Sequence, residues 1–170
     1  LTAIPRGAYS EAKNLCENLC DAYRTNYKMK ILTVRPAGLY GPRMSPQWLI
    51  PKLISKALQK QSLVTHRYTN GLPAFELIHI DDFCEVIQFI IRKGIDEGSI
   101  NIGSHRLVTT EDLANIISRL CGNKCNTELL DINEPIRNIV TIPGLLDQYG
   151  WKSKITLEKG LLFKIEEDYL

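Results

Sequence analysis

The sequence predicts an α/β protein organised around a mostly parallel sheet, and three observations carry that reading. A helix-period segment opens the chain, a short β-branched run ending at a proline follows it, and strand-like and helix-like segments alternate from there on.

With 170 residues and 44% hydrophobic content, the chain can bury a sizeable core and is most simply one domain, or one lobe of a larger one. A net charge of +2 with both signs interspersed gives no footprint for nucleic acid or a membrane surface. No apolar run approaches a membrane span and no basic stretch precedes an apolar one at the start, so the expected location is cytoplasmic. Five cysteines without a clustered double pair argue against a disulfide framework, and Cys121 with Cys125 is a weak zinc signal. The cysteines read as small buried residues or free thiols, with Cys84 on an apolar helix face.

Pro5 and Gly7 read as a loop entering a helix that runs to about Tyr27. Tyr9, Ala12, Cys16, Leu19, Cys20, Tyr23 and Tyr27 fall on one broad face of it, which predicts packing on a sheet and on a partner helix. Lys30 to Val34 fits a buried parallel strand, and Arg35 to Arg43 its exit loop. A second helix covers 46–60, with Pro51 inside it implying a kink or a late start at Ile50. Ser62 to Tyr68 and Phe75 to Ile80 are strand-like, and Asn70-Gly71 between them suggests a hairpin.

The next helix runs from Asp81 to about Lys93. Asp82 as its N-cap with Glu85 three residues on makes a capping box, a better reading of two adjacent acids than a metal site. His79 before it reads as a satisfied, semi-buried imidazole. Ser99 to Gly103 is a strand, and Thr109 to Asp112 caps a helix ending at Gly122. Thr127 to Ile132 and Arg137 to Ile142 read as strands, Leu145 to Tyr149 as a brief helix, and Thr156 onward as a terminal helix.

Chemistry enters at Tyr9-Ser10-Glu11-Ala12-Lys13. The spacing stacks a phenol and an ammonium on one helix face. A phenol is a poor base at neutral pH, and a cation within reach favours its ionised form. Tyr9 is therefore a candidate general acid/base with Lys13 as its tuner, although a Tyr-x-x-x-Lys also arises by chance on amphipathic helices.

A second landmark, Val34-Arg35-Pro36-Ala37-Gly38-Leu39-Tyr40-Gly41-Pro42-Arg43, follows that helix. Together the two resemble the extended short-chain dehydrogenase/reductase family, and within it the NAD-dependent epimerases and dehydratases of sugar nucleotides. Ile50 to Ile54, Leu77 to Asp82, Asn101 to Gly103, Gly150-Trp151 and Thr156 to Leu161 match further family segments in order. The resemblance implies the C-terminal part of a Rossmann-like doubly wound parallel sheet plus a small α+β substrate-binding lobe. Residues 1–45 would end the NAD-binding part, and 46–170 would mainly form the substrate lobe.

On the same resemblance, Tyr9 exchanges a proton with a sugar hydroxyl, Lys13 binds the nicotinamide ribose, and Pro36 with Ala37 lines the nicotinamide pocket of NAD or NADP. Gly38, Arg43, Leu49, Lys52 and Arg137 become the substrate-binding candidates, and the opening helix implies a homodimer. Three departures stand out. The family's Gly-rich dinucleotide loop does not occur in these residues, and Thr2 lies too close to Tyr9 to replace its usual Ser/Thr partner. Gly38 stands where sugar-nucleotide epimerases carry Asn, and Phe75 where many carry Arg, leaving Arg43, Lys52 and Arg137 as anion anchors. The expectation is a C-terminal half, inactive without its N-terminal partner half. Other readings are a non-catalytic ligand- or partner-binding lobe and a reductase or decarboxylase of the same superfamily.

Overall fold

The computed structural model describes residues 7–136 and 145–169, without the side chains of Leu145 and Asp147. Helix α1 (Ala8–Tyr27) leads into β1 (Leu32–Pro36) and β2 (Gly38–Tyr40). Next come α2 (Leu49–Leu58), β3 (Leu63–Tyr68), β4 (Ala74–His79) and α3 (Ile80–Lys93). The chain continues as β5 (Gly98–Ile102), β6 (Leu107–Thr109), α4 (Thr110–Leu120) and β7 (Thr127–Ile132). It ends in α5 (Leu145–Gln148) and α6 (Leu157–Tyr169). The strand read at Arg137 to Ile142 lies outside the described residues.

Parallel pairing dominates. β1 pairs with β5 in parallel, β2 with β4 in parallel, and β3 with β7 in parallel, while β4 and β6 are antiparallel. β1 and β2 are nearly one strand that changes partner at Ala37, whose N–H donates to Ile102 O at 2.7 Å. Asn70-Gly71 makes only a local bridge between Tyr68 and Gly71. The expected hairpin does not form: β3 pairs with β7 and β4 with β2 and β6, and Pro73 between them has no N–H to extend the local bridge.

Two apolar clusters hold the elements. Leu53, Ile54, Leu63, Leu113, Ile117 and Leu161 join α2, α4 and α6 over β3, and Ile78, Val86, Ile90, Ile100 and Trp151 join α3 to the strands. Helix α2 starts late, at Leu49, so Pro51 falls in the first turn where its missing N–H has no helical partner to lose. Helix α4 carries the anticipated cap, and it takes the form of a capping box, with Thr109 Oγ1 accepting from Asp112 N at 3.0 Å.

The cap of α3 differs from the sequence reading. His79, not Asp82, is its N-cap, and His79 Nδ1 accepts from Asp81 N at 3.3 Å. Asp82 is buried, and its Oδ2 accepts the N–H groups of Lys154 and Ile155 at 3.0 and 2.9 Å. It fastens the loop before α6 to α3, while Glu85 accepts from Lys154 Nζ at 2.6 Å. His79 is fully buried rather than half-buried, and its Nε2 has no hydrogen-bond partner among the described residues.

Helix α1 also departs from expectation, since none of its residues is buried. Its apolar stripe stays open within these residues. Polar ties hold it instead: Arg24 Nη1 donates to Ile31 O and Gly98 O at 2.8 Å each, and Arg35 pairs with Glu17. β1 is likewise partly exposed rather than buried. All five cysteines are free, Cys16 and Cys84 are exposed, and none is buried.

Candidate functional site

The carboxyl end of β1 opens onto a cleft of 620 Å3, the location where open α/β sheets place ligands. Tyr9 from α1, Pro36, Ala37, Gly38 and Leu39 from the strand exit, and Met44, Trp48, Leu49 and Ile50 from the next segment all line it. Phe75 and Leu77 of β4 complete the lining. Five residues singled out from sequence, Tyr9, Pro36, Ala37, Gly38 and Leu49, thus meet on one surface.

Tyr9 is 75% exposed, and Lys13 Nζ stands 5.4 Å from its ring centroid, inside cation–π range. The helical spacing delivers this contact, since residues four apart share a face. Ala37 is buried at the cleft floor. Gly38 has a packing reason: a Cβ there would lie 3.0 Å from Leu77 Cδ2 and 3.1 Å from Glu76 O. A larger side chain at 38 would press on β4 and require Leu77 or the Glu76 backbone to give way by a few tenths of an ångström.

The proposed anion anchors are placed differently. Arg43 and Lys52 are exposed and neither lines the cleft; the Arg43 N–H is held by the Asp168 carboxylate. Arg137 lies outside the described residues. Among the described residues, the cleft wall carries no charged side chain. Sequence reasoning missed Met44, Trp48 and Ile50 as lining residues, although an exposed Trp beside prolines was a usable cue.

A smaller cavity of 180 Å3 lies beyond Leu77, between Tyr40, Ser104, Arg106 and the start of α6. Arg106 makes a two-pronged pair with Glu158, at 3.0 and 2.9 Å, and holds that carboxyl below its usual range. Burial pushes the Tyr40 phenol far above its ordinary value. No group of three or more His, Cys, Asp or Glu among the described residues could hold a metal ion. Nor is any helix there long and apolar enough to cross a membrane.

Parallel strands flanked by helices, with a cleft at a strand's carboxyl end, define a Rossmann-like α/β protein. The family described as the NAD dependent epimerase/dehydratase family matches residues 2–103, more than half the chain, and the chain belongs to that family. It is 29% identical over 163 residues to GDP-L-fucose synthase of Sinorhizobium fredii, covering 90% of this chain and 51% of that protein. It is 25% identical over 183 residues to dTDP-glucose 4,6-dehydratase of Xanthomonas campestris, covering 95% and 49% respectively.

Among solved structures, dTDP-glucose 4,6-dehydratase of Bacillus anthracis in complex with NAD matches with a TM-score of 0.81 and 26% identity. That match covers 96% of this chain and 52% of the other. UDP-glucose 4-epimerase of Thermus thermophilus, also in complex with NAD, shares the fold with a TM-score of 0.81 at 18% identity, over 96% of this chain and 54% of that one. The chain spans about half the length of the curated relatives it matches.

Proposed function

We propose that these residues form the C-terminal, substrate-binding portion of an NAD- or NADP-dependent enzyme that epimerises or dehydrates a nucleoside-diphosphate sugar. Residues 1–45 then close the dinucleotide-binding part, and 46–170 mainly form the substrate lobe. The observation that supports this most is the meeting of Tyr9, Pro36, Ala37, Gly38 and Leu49 on one cleft in a chain of this family.

The groups at this edge suit the nicotinamide-ribose end of the cofactor: an exposed phenol and ammonium for ribose and substrate hydroxyls, beside the apolar Pro36 and Ala37 for a flat ring. When bound, the nicotinamide supplies hydride transfer. Tyr9 Oη gives or takes the proton of the sugar hydroxyl at the reacting carbon. Lys13 Nζ holds the ribose and keeps positive charge beside the phenol. Gly38 and Leu49 shape the sugar side, and the anion anchors proposed for the diphosphate are Arg43, Lys52 and Arg137, the first two acting from outside the cleft lining. The remaining dinucleotide contacts belong to a Gly-rich segment supplied from outside these residues, so this portion alone neither holds NAD tightly nor turns over. A homodimer through the open face of α1 belongs to the same reading.

The test is Tyr9→Phe in the full-length gene product, assayed with UDP-glucose and dTDP-glucose. Turnover should fall by roughly 100-fold or more while NAD affinity stays near the wild-type value. Normal turnover by that variant would overturn the reading in favour of a binding lobe.

A further inference from the structure

The C-terminal end of α6 carries a buried charge that the site described above does not use. Lys164 has a side chain 0% exposed, and its Nζ donates to Asp168 Oδ2 at 2.6 Å, one turn further on. A buried ammonium needs such a partner, because an unpaired one is too costly to keep. Asp168 has a second task. Both of its oxygens accept the backbone N–H of Arg43, at 3.0 Å each. Arg43 sits in the left-handed region, φ 59°, which a residue with a side chain enters at a cost.

The adjacent Tyr169 hydroxyl donates to Pro51 O at 3.3 Å. The last turn of α6 therefore grips the segment 43–51 at both ends. Met44, Trp48, Leu49 and Ile50 of that segment form one wall of the cleft. Neither Lys164 nor Asp168 lines the cleft itself.

We infer that Lys164 and Asp168 are positioning residues that set the substrate wall of the cleft, acting through the Arg43 amide. The inference rests on the cleft being the substrate site. Lys164 fixes the Asp168 carboxylate, the carboxylate fixes the left-handed turn at Arg43, and that turn sets where Met44 and Trp48 project. Loss of the carboxylate frees the turn and blurs the wall, leaving the Tyr9 edge in place.

The experiment compares the full-length protein with Asp168→Asn, Asp168→Glu and the double variant Lys164→Met/Asp168→Leu. The double variant removes both charges together and so leaves no unpaired buried ammonium. Trypsin cleavage of the Arg43–Met44 bond under native conditions reports opening of the segment without requiring turnover. Calorimetric titration with UDP-glucose and dTDP-glucose at saturating NAD reports the wall. In the double variant, cleavage should accelerate and sugar-nucleotide affinity weaken by about tenfold each, with NAD affinity unchanged.

Asp168→Glu should recover most of both, and Asp168→Asn, which keeps one acceptor oxygen, should fall between. Should the double variant fail to fold, Asp168→Asn and Asp168→Glu carry the same comparison. Unchanged cleavage, or faster cleavage with unchanged sugar-nucleotide affinity, overturns the inference while leaving the proposed function intact. A wild-type protein that binds neither sugar nucleotide overturns the substrate reading of the cleft, and the inference with it.

Discussion

Gly160 of α6 packs its bare backbone against the phenol of Tyr40 in β2. A Cβ at 160 would overlap the Tyr40 hydroxyl and come within 2.8 Å of His79 Cδ2. The helix can lie this close to the sheet only without a side chain there.

Gly160→Ala tests that contact. Alanine is worth up to about 1 kcal/mol in helix propensity over glycine, but overpacking costs about 1–3 kcal/mol. The net effect should be a lower Tm in a thermal melt. A Tm equal to or above the wild-type value would mean that α6 can shift away from Tyr40 at no cost.

Asp82 should matter more than its place at the start of α3 suggests. Asp82→Ala strips the acceptor from two backbone N–H groups, those of Lys154 and Ile155, and each unsatisfied group costs about 1–3 kcal/mol. Asp82→Asn keeps an acceptor oxygen and should lose clearly less. Urea unfolding of the two variants checks the order; equal losses would show that charge, rather than the two accepted hydrogen bonds, is what the position supplies.

His79 gives a pH signature. Burial lowers its pKa, and this outweighs the raising effects of Asp81, Asp82 and Glu167. A group whose folded pKa lies below its unfolded value binds fewer protons when folded, so stability falls as pH drops through the unfolded pKa, near 6.5 for histidine. Arg35 holds Glu17 low and Arg106 holds Glu158 low, so both carboxylates titrate further down. The drop in Tm between pH 7 and pH 5 should therefore shrink in His79→Phe. A drop of undiminished size in that variant would place the sensitive group elsewhere.

Tyr9 and Lys13 should separate function from stability. Both lie on the exposed surface of α1, so Tyr9→Phe and Lys13→Met should each change folding free energy by no more than about 0.5 kcal/mol. On the proposed function, Lys13→Met should lower turnover and weaken NAD binding together. A large Tm loss in either variant would show that the pair is structural.

Much of the fold was legible because local signals agreed with the final packing. The Thr109–Asp112 cap, Gly122 just past α4 and Pro51 near the start of α2 mark helix bounds by chemistry confined to a few residues. What was not legible depends on distant chain. Nothing near Asp82 announces that its acceptors are needed by Lys154 and Ile155, and nothing near Asn70 says that β3 pairs with β7 instead of β4. At the cleft, Tyr9, Pro36, Ala37, Gly38 and Leu49 could be picked out by motif, whereas Met44 and Trp48 depend on where the segment after Arg43 is pinned.

Among the described strands, no two consecutive ones pair with each other; the shortest-range rung joins Glu76 to Leu107. During synthesis, the β3–β7 and β1–β5 pairs can form only after the distant second strand of each has been made. Of the pairs described, β2–β4 can form once His79 has been made, whereas β3–β7 needs the chain as far as Ile132. Pairings at such separations make closing these sheets slow compared with packing helices that are neighbours in the chain.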